Sequence, residues 1–233
     1  MKARFLWRAW RARFRDQSAE LAAIRRNLGP DDVACDIGAN KGSYLYWMSR
    51  WAGRVVAFEP QPGLADYLSD ACRQLRMTNV TVERSGVSDV SGSRDLYVPS
   101  ENSPEASLIQ HADAGAIPIS VVALDDYFRP EQRVALLKID VEGGELDVLK
   151  GAERILRQYH PVLLMECEQR HLTHGTVADC LNYLADLGYE GSFLDRGRSV
   201  PVARFEPAIH QAPVGDRFWT APTYCNNFVF TPA

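Results

Sequence analysis

The sequence lacks the features that define several large classes of protein. It has no Cys-x-x-Cys pair, and its odd set of cysteines has no metal-ligand spacing: Cys35, Cys72, Cys167, Cys180 and Cys225. A disulfide framework and a structural zinc site are therefore not expected. The cysteines instead indicate a reducing, cytoplasmic environment. No apolar run reaches the roughly 18 residues that a membrane-spanning helix needs.

An excess of basic residues is also missing. The 233 residues include 26 Lys and Arg against 30 Asp and Glu, which gives a formal net charge of −4. Proteins that bind nucleic acid usually present a basic face, so no nucleic-acid partner is expected. With 46% hydrophobic and 24% charged residues, the chain has the composition of an ordinary globular domain.

The first 15 residues differ from the rest of the chain, because they contain six basic residues and no acid. Leu6, Trp10 and Phe14 repeat every four residues, which predicts one stripe of a helix. We therefore predict a basic amphipathic helical segment over residues 1–30. Two roles are expected for residues 1–17. They contact an anionic surface, which is the inner face of a membrane or a glycolipid substrate, or they dock on the domain or on a second subunit.

Strand and helix patterns alternate from residue 33 onward, which is typical of a mostly parallel, doubly wound α/β sheet. Residues 31–233 are predicted to form one domain. The strands are predicted near residues 33–37, 54–58, 79–87, 134–139, 162–165 and, as an antiparallel edge strand, 227–230. Residues 88–120 lack a helical period and are rich in Ser, Pro and Gly, so we predict an irregular insertion there.

A glycine loop follows the first predicted strand, where α/β sheets bind ligands that carry a phosphate or a ribose. Residues 36–42 read Asp-Ile-Gly-Ala-Asn-Lys-Gly, which is not the G-x-G-x-x-G of nicotinamide enzymes. The carboxylate of Asp36 would repel a pyrophosphate and suits a cationic ligand, such as the amino end of a sulfonium amino acid. The loop therefore favours S-adenosylmethionine, with Asp36, Gly38, Asn40 and Gly42 as contacts; a plain structural turn is the alternative.

An acid at the end of the second predicted strand extends this pattern. Glu59 lies 23 residues after Asp36, and a carboxylate there can accept hydrogen bonds from both hydroxyls of a ribose. At the end of the third predicted strand, Gly86 and Val87 leave room for an adenine ring. We therefore add Glu59, Gly86 and Val87 to the predicted cofactor contacts.

The region after the fourth predicted strand resembles a known family. Residues 137–145 read Leu-Lys-Ile-Asp-Val-Glu-Gly-Gly-Glu and residues 148–152 read Val-Leu-Lys-Gly-Ala, which resembles the signature of the FkbM-type methyltransferases. Further motifs stand in the order expected of that family, at residues 36–42, 58–60, 86–89, 123–126, 161–166 and 227–230. The resemblance covers residues 33–231.

This resemblance implies a Rossmann-like class I methyltransferase that uses S-adenosylmethionine as its cofactor. It implies O-methylation, often of a sugar hydroxyl in a glycolipid, a polysaccharide or a natural product. The expected partner is accordingly a small-molecule or carbohydrate acceptor. Gly144 departs from the family pattern, where alanine is more common at that position.

Methyl transfer to a hydroxyl requires alignment of the acceptor and removal of its proton. The candidates for this chemistry are Asp140, Glu142, Glu166 and His171. Asp140 is the first choice, and a cofactor contact as well, because it ends a strand that faces the cofactor. Glu142 and Glu145 have an alternative role at the start of the next helix, where acids complement the helix dipole. No metal is expected, although Asp140 and Glu166 have the oxygen ligands that a divalent cation prefers.

Other readings stay open at this point. His174 lies three residues after His171 and is a weaker candidate base. The acceptor is expected to contact the least regular regions, at residues 88–120, 169–176 and 196–224. The alternative functions are methylation of nucleic acid or protein, and cofactor binding without catalysis by a protein whose N-terminal helix contacts a membrane surface.

Overall fold

The computed structural model describes residues 2–98, 106–108, 115–172 and 175–233. The candidate His174 and parts of the predicted insertion lie outside the described residues. The strands are β1 (Val33–Ile37), β2 (Arg54–Phe58), β3 (Val80–Glu83), β4 (Gly86–Val87), β5 (Gly92–Val98), β6 (Gly115–Val122), β7 (Leu136–Ile139), β8 (Val162–Glu166), β9 (Tyr189–Asp195), β10 (Arg198–Pro201) and β11 (Asn227–Pro232). The α-helices are α1 (Lys2–Arg11), α2 (Ser18–Arg26), α3 (Leu45–Trp51), α4 (Pro62–Leu75), α5 (Leu124–Tyr127), α6 (Glu145–Lys150), α7 (Glu153–Tyr159), α8 (Val177–Asp186) and α9 (Pro207–His210).

Within the described residues, the main sheet has the strand order β10-β9-β11-β8-β7-β1-β2-β3. Strands β8, β7, β1, β2 and β3 pair in parallel, which confirms the predicted doubly wound class. The closing strand β11 is antiparallel, as predicted, but it lies between β8 and β9; the edge strand is β10, which is antiparallel to β9. The chain continues from β1 to β2 on one side and returns to β7 on the other, and such a switch point opens a crevice at the carboxyl ends of the strands.

The strands next to this switch point are buried on both faces, so their side chains alternate between two cores. In β1, Cys35 and Ile37 pack with α6, α7 and α8, whereas Ala34 packs on the opposite face with α2, α3 and α4. In β2, Phe58 belongs to the first core and Ala57 to the second. Successive side chains of a strand point to opposite faces, and here both faces are buried. The central strands are therefore near-continuous apolar runs.

The region between β3 and α5 is more regular than predicted. The predicted strand over residues 79–87 is divided: β3 belongs to the main sheet, whereas β4 joins a separate sheet with the order β4-β6-β5. Strands β5 and β6 pair antiparallel along their length, from Gly92 opposite Val121 to Val98 opposite Gly115. The insertion was predicted to be irregular, but where the structure describes it, it forms a small sheet. The buried side chains of this sheet are its own Leu96, Ile119 and Val121.

The N-terminal segment docks on the domain, which was one of the two predicted alternatives. Its buried stripe is Phe5, Ala9 and Ala12, and the indole N–H of Trp47 donates a hydrogen bond to the carbonyl of Ala9 at 2.7 Å. This is not the predicted stripe of Leu6, Trp10 and Phe14: the rings of Trp10 and Phe14 stack on each other, but they are 53% and 62% exposed. The two alanines allow α1 to approach α3 closely, which a stripe of large aromatic residues would prevent. Among the helices of the described ranges, none is long and apolar enough to cross a bilayer.

Candidate functional site

A cleft of about 740 Å³ opens where β1, β2, β7 and β8 end. The small sheet covers one side of it through Leu96 and residues 106–108. The predicted site residues that line this cleft are Gly38, Asn40, Glu59, Gly86, Val87, Asp140, Glu142 and Glu166.

The glycine loop is shaped by three positive φ angles. Gly38 has φ +73°, and a Cβ there would lie 1.8 Å from the carbonyl oxygen of Asp140, so only glycine fits. Asn40 has φ +47°, and its backbone N–H donates to Glu59 Oε2 at 2.7 Å. Gly42 has φ +75°, and a Cβ there would lie 2.6 Å from the ring of Phe5 in α1. Gly42 therefore contacts the N-terminal helix, which differs from the predicted contact with the cofactor.

Glu59 is a buried acid that faces the cleft. Its side chain accepts the N–H of Asn40 on Oε2 at 2.7 Å and the N–H of Gln61 on Oε1 at 2.9 Å. Burial raises the pKa of Glu59 to about 7, and these two hydrogen bonds oppose the rise. A carboxylate offers about four acceptor positions, so Glu59 keeps acceptor capacity for a ligand in the cleft.

Asp36 is fully buried and does not line the cleft. Its cross-strand neighbour Lys138 places Nζ 3.1 Å from Asp36 Oδ1 and 3.4 Å from Asp140 Oδ2. The same ammonium donates to the carbonyl of Gly38 at 2.9 Å. Burial opposes the charge of Lys138, but the two carboxylates outweigh it and raise the pKa of Lys138. The predicted direct contact of Asp36 with the cofactor is therefore corrected: Asp36 holds Lys138, which in turn holds the loop.

The wall formed by β4 is apolar and narrow. A Cβ at Gly86 would lie 3.2 Å from Ile119 Cδ1 and 3.3 Å from Val121 Cγ1, so glycine lets the small sheet pack closely. Val87 is buried beside it. With Phe58, these residues give one end of the cleft a surface that suits a flat ring.

Three of the predicted catalytic acids, Asp140, Glu142 and Glu166, line the same cleft. Glu142 has φ +54°, and its Oε2 lies 2.8 Å from Nε2 of His171. Burial raises the pKa of Glu142, and His171 opposes that rise. Burial also disfavours the charged form of His171, but Glu142 outweighs it and raises the pKa of His171. His171 is buried and does not line the cleft, so it can act only through Glu142.

Glu142 and Glu145 were both predicted to have an alternative role at the start of the next helix. In the structure Glu145 has this role. Its Oε1 accepts the N–H of Gly143 at 3.0 Å, at the first turn of α6. Burial raises the pKa of Glu145 to about 7. Glu142 has no such contact with the start of the helix among the hydrogen bonds of the described residues, so its carboxylate is left to the cleft.

Glu166 belongs to a polar network that the sequence did not reveal. Asn226 donates from Nδ2 to Glu166 Oε1 at 2.6 Å and to Glu168 Oε1 at 3.1 Å. Glu168 also pairs with Arg170, and it accepts the hydroxyl of Tyr224 at 2.7 Å. Burial, with the nearby acids Asp140 and Glu142, raises the pKa of Glu166 well above its usual range. Asn226 and Tyr224 lie nearly 60 residues away along the chain, and no local pattern marks them.

The described residues contain no group of three or more His, Cys, Asp or Glu side chains placed to hold a metal ion. Asp140 and Glu166 share the cleft with Glu142, but in that part of the chain the three are not placed to hold one ion together.

A second cavity, of about 590 Å³, lies on the other side of the glycine loop. Gly38, Asn40 and Asp140 line both cavities, so the two adjoin at these residues, and the pair is called the groove from here on. The N-terminal segment contributes Arg8 and Gln17 to the second cavity. Neither residue was predicted to belong to the site, because no pattern in the sequence links this segment to the glycine loop.

Comparison with known proteins assigns the family. The family model described as Methyltransferase FkbM domain matches residues 36–190, which is more than half of the chain and includes the glycine loop, Glu59 and the acids after β7 and β8. The hexuronic acid methyltransferase AglP of Haloferax volcanii is 32% identical over 159 residues, which cover 65% of this chain and 64% of that protein. The matches with three curated relatives cover between 60% and 64% of the relatives' own lengths, which is less than two thirds.

Solved structures share the fold. A methyltransferase FkbM from Methylobacillus flagellatus KT has a TM-score of 0.57 at 17% identity, and the match covers 97% of this chain and 57% of that one. The protein SMU.1697c of Streptococcus mutans, solved in complex with SAH, has a TM-score of 0.51 at 10% identity, over 93% of this chain and 97% of that one. The family model and the order of the loop, acids and strands around the cleft lead to one assignment: the chain belongs to the FkbM methyltransferase family.

Proposed function

We propose that this protein is an S-adenosylmethionine-dependent O-methyltransferase that acts on a hydroxyl of a sugar or another small molecule. The observation that carries the proposal is a single cleft that is lined both by the ribose-type acceptor Glu59 and by Glu142, an acid paired with His171. A cofactor site without an acid beyond it would fit a binding protein. An acid that is itself oriented by a histidine favours proton removal.

The residues of the cleft fit this cofactor. Glu59 keeps acceptor positions for the two ribose hydroxyls, and the apolar wall at Gly86 and Val87 suits the adenine ring. Asn40 Oδ1 is buried and has no hydrogen-bond partner among the described residues, although Asn40 lines the groove, so a ligand donor would satisfy it. Asp140 offers its carboxylate to the cationic end. When bound, S-adenosylmethionine supplies a methyl group that its sulfonium has already activated.

Glu142 is the residue that we assign to the acceptor hydroxyl. Its raised pKa makes it a better base than an ordinary glutamate, and its place in the cleft allows it to accept a proton. His171 is a positioning residue, since its Nε2 fixes the Glu142 carboxylate at 2.8 Å from behind. Asp140 lines both cavities, and Glu166 lines the cleft.

The acceptor class rests on the family and on a named relative. The curated relative from Haloferax volcanii is named for a hexuronic acid, which supports a carbohydrate acceptor here.

The direct test is transfer of a radiolabelled methyl group from S-adenosylmethionine to a panel of uronic acid and neutral sugar glycosides. We expect transfer to at least one sugar and a loss of about 100-fold or more in kcat for Glu142→Gln. Glu190→Gln is the matched control, because Glu190 is exposed on β9, away from the cleft. A chain that methylates DNA, RNA or protein but no sugar, or one that binds the cofactor and transfers nothing, would contradict the proposal.

We also propose that the outer face of the N-terminal segment contacts an anionic membrane surface. Trp7, Trp10 and Phe14 are 62%, 53% and 62% exposed, and the Arg11 guanidinium lies 5.4 Å from the centre of the Trp7 ring. Residues 2–15 hold six basic residues and no acid in a chain whose net charge is −4. Exposed aromatic rings among cations are typical of helices that lie in a membrane interface.

Co-sedimentation with vesicles tests this contact. We expect binding to vesicles that contain phosphatidylglycerol, weaker binding to phosphatidylcholine alone, and loss of binding for the variant Trp7→Ser/Trp10→Ser/Phe14→Ser. Trp219→Ser is the control, because Trp219 is a partly exposed tryptophan outside this segment. Equal sedimentation of the triple variant would contradict the proposal, as would a dimer of the unchanged protein that the triple variant abolishes.

A further inference from the structure

The second cavity has an unusual source of positive charge. Arg8 comes from α1 and Lys41 from the glycine loop, and both line the cavity beside Asp140. Neither has an acidic partner among the ion pairs of the described residues; Arg8 donates only to the hydroxyl of Tyr67, at 3.3 Å. Lys138, the third cation of this cavity, is instead committed to Asp36 and Asp140.

The position of Arg8 is fixed by the packing of its helix. Phe5, one turn earlier, is buried against Gly42 of the glycine loop. Ala9 is fully buried, and its carbonyl accepts the indole N–H of Trp47 at 2.7 Å. Contacts on both sides of Arg8 therefore hold its backbone above the groove, so the guanidinium can meet a ligand without a large rearrangement.

Charge also divides along the groove. Near Glu59 the groove presents a carboxylate and an apolar wall, whereas in the second cavity it presents Arg8 and Lys41 next to Asp140. A ligand that spans both parts would carry hydroxyls and a flat ring at one end, and both a cationic and an anionic group at the other. An amino acid end, with its ammonium and its carboxylate, has this pair of charges.

We propose that Arg8, with Lys41 beside it, binds the carboxylate at the amino acid end of the cofactor, while Asp140 faces its ammonium. The inference rests on the proposed function, because it requires S-adenosylmethionine as the ligand. Arg8 lies outside residues 36–190, which the family model matches. The N-terminal segment is thus part of the cofactor site, and Phe5 and Gly42 join that segment to the glycine loop.

Two ligands that differ at the relevant end provide the test. S-adenosylhomocysteine has the amino acid end, whereas 5′-methylthioadenosine lacks it and keeps the adenosine. By calorimetry on the full chain, Arg8→Gln is expected to weaken S-adenosylhomocysteine about tenfold or more, as for the loss of a charge-assisted hydrogen bond. The affinity for 5′-methylthioadenosine should stay within about twofold. Arg8→Lys, which keeps the charge but not the fork, should lie between the two.

Controls separate this proposal from the function on which it rests. Arg4→Gln changes an exposed arginine of the same helix and should bind both ligands as the unchanged protein does. If the unchanged protein binds neither ligand, the proposed function fails. If it binds both and Arg8→Gln does so equally well, or loses both ligands together, the role of Arg8 is overturned and the function stands. A higher KM for the acceptor with unaltered S-adenosylhomocysteine binding would overturn it as well. Should Arg8→Gln unfold, Lys41→Gln gives the same ligand comparison.

Discussion

Two buried acids at neighbouring strand ends differ in what balances their charge. Asp36, in β1, is 0% exposed, and its partner is the ammonium of Lys138 at 3.1 Å. Glu59, directly after β2, is 3% exposed, and its partners are two backbone N–H groups at 2.7 and 2.9 Å. Of the two, only Glu59 lines the cleft.

This difference separates a structural acid from a ligand-binding one. A carboxylate balanced by a buried cation has its charge compensated before any ligand arrives. A carboxylate held by two backbone amides at the wall of a cleft has no cation beside it and keeps acceptor positions for a ligand. Burial raises the pKa of both acids, so the distinction rests on their partners and on which of them lines the cleft. Substitution of Asp36 should therefore change mainly the stability of the protein, whereas substitution of Glu59 should change mainly its affinity for the cofactor.

The largest expected effect comes from Lys138→Met. This change leaves the buried Asp36 without the cation that faces it, and breaking a buried pair from one side costs about 3–5 kcal/mol. Chemical denaturation should show this loss in the free energy of unfolding. The double variant Asp36→Asn/Lys138→Met should recover a large part of it, because no uncompensated charge is left at Asp36. A single variant as stable as the unchanged protein would show that the pair is not what holds Asp36.

The next effect is on binding. Glu59→Gln keeps the shape of the side chain but removes the charge that would accept the ribose hydroxyls, so the affinity for S-adenosylhomocysteine should fall about tenfold or more. Stability should fall by less than for Lys138→Met, since the amide of Gln can accept only one of the two backbone N–H groups that Glu59 accepts, but no buried charge is left uncompensated. Asp36→Asn should show the reverse: a larger effect on stability than on the affinity for S-adenosylhomocysteine. Calorimetry and denaturation on the two variants check this, and equal loss of affinity in both would remove the distinction.

The smallest expected effect is a dependence of binding on pH. The pKa of Glu59 is raised to about 7, and ribose hydroxyls that donate to it favour its ionised form. The affinity for S-adenosylhomocysteine should therefore rise with pH through 7, by about tenfold at most between pH 6 and pH 8. In the absence of ligand the sign is opposite: the native state holds this proton more tightly than the unfolded chain, so Glu59 lowers stability as pH rises from 4.5 through about 7. Glu59→Gln should flatten both dependences, and an undiminished slope of binding would assign it to another group.

Much of the fold could be predicted, because its signals are local. Short apolar runs, helical periods and glycines identified the central strands and most of the helices that pack on them. The division of the third strand was not predictable, since residues 79–87 read as one strand and only the pairing of Gly86 with Val121 removes β4 from the main sheet. The buried face of the N-terminal segment was not predictable, because two of its residues are alanines, which carry less pattern than Leu6, Trp10 and Phe14.

The candidate site was predictable where a residue both ends a strand and faces the cleft, as Glu59, Asp140 and Glu166 do. It was not predictable where a partner decides the role. The spacing of Asp36 is the same whether the acid faces a ligand or Lys138, which lies more than 100 residues away and is its neighbour only through strand pairing. Arg8 gave no signal of its own, since its role depends on how α1 docks on the loop.

The most direct test of these roles is a crystal structure with S-adenosylhomocysteine. We expect Glu59 within hydrogen-bond distance of both ribose hydroxyls, with Asp36 still buried against Lys138 and without contact to the ligand. A complex in which Asp36 leaves Lys138 to hold the ligand, or in which Glu59 makes no contact with the ribose, would contradict the division between the two acids.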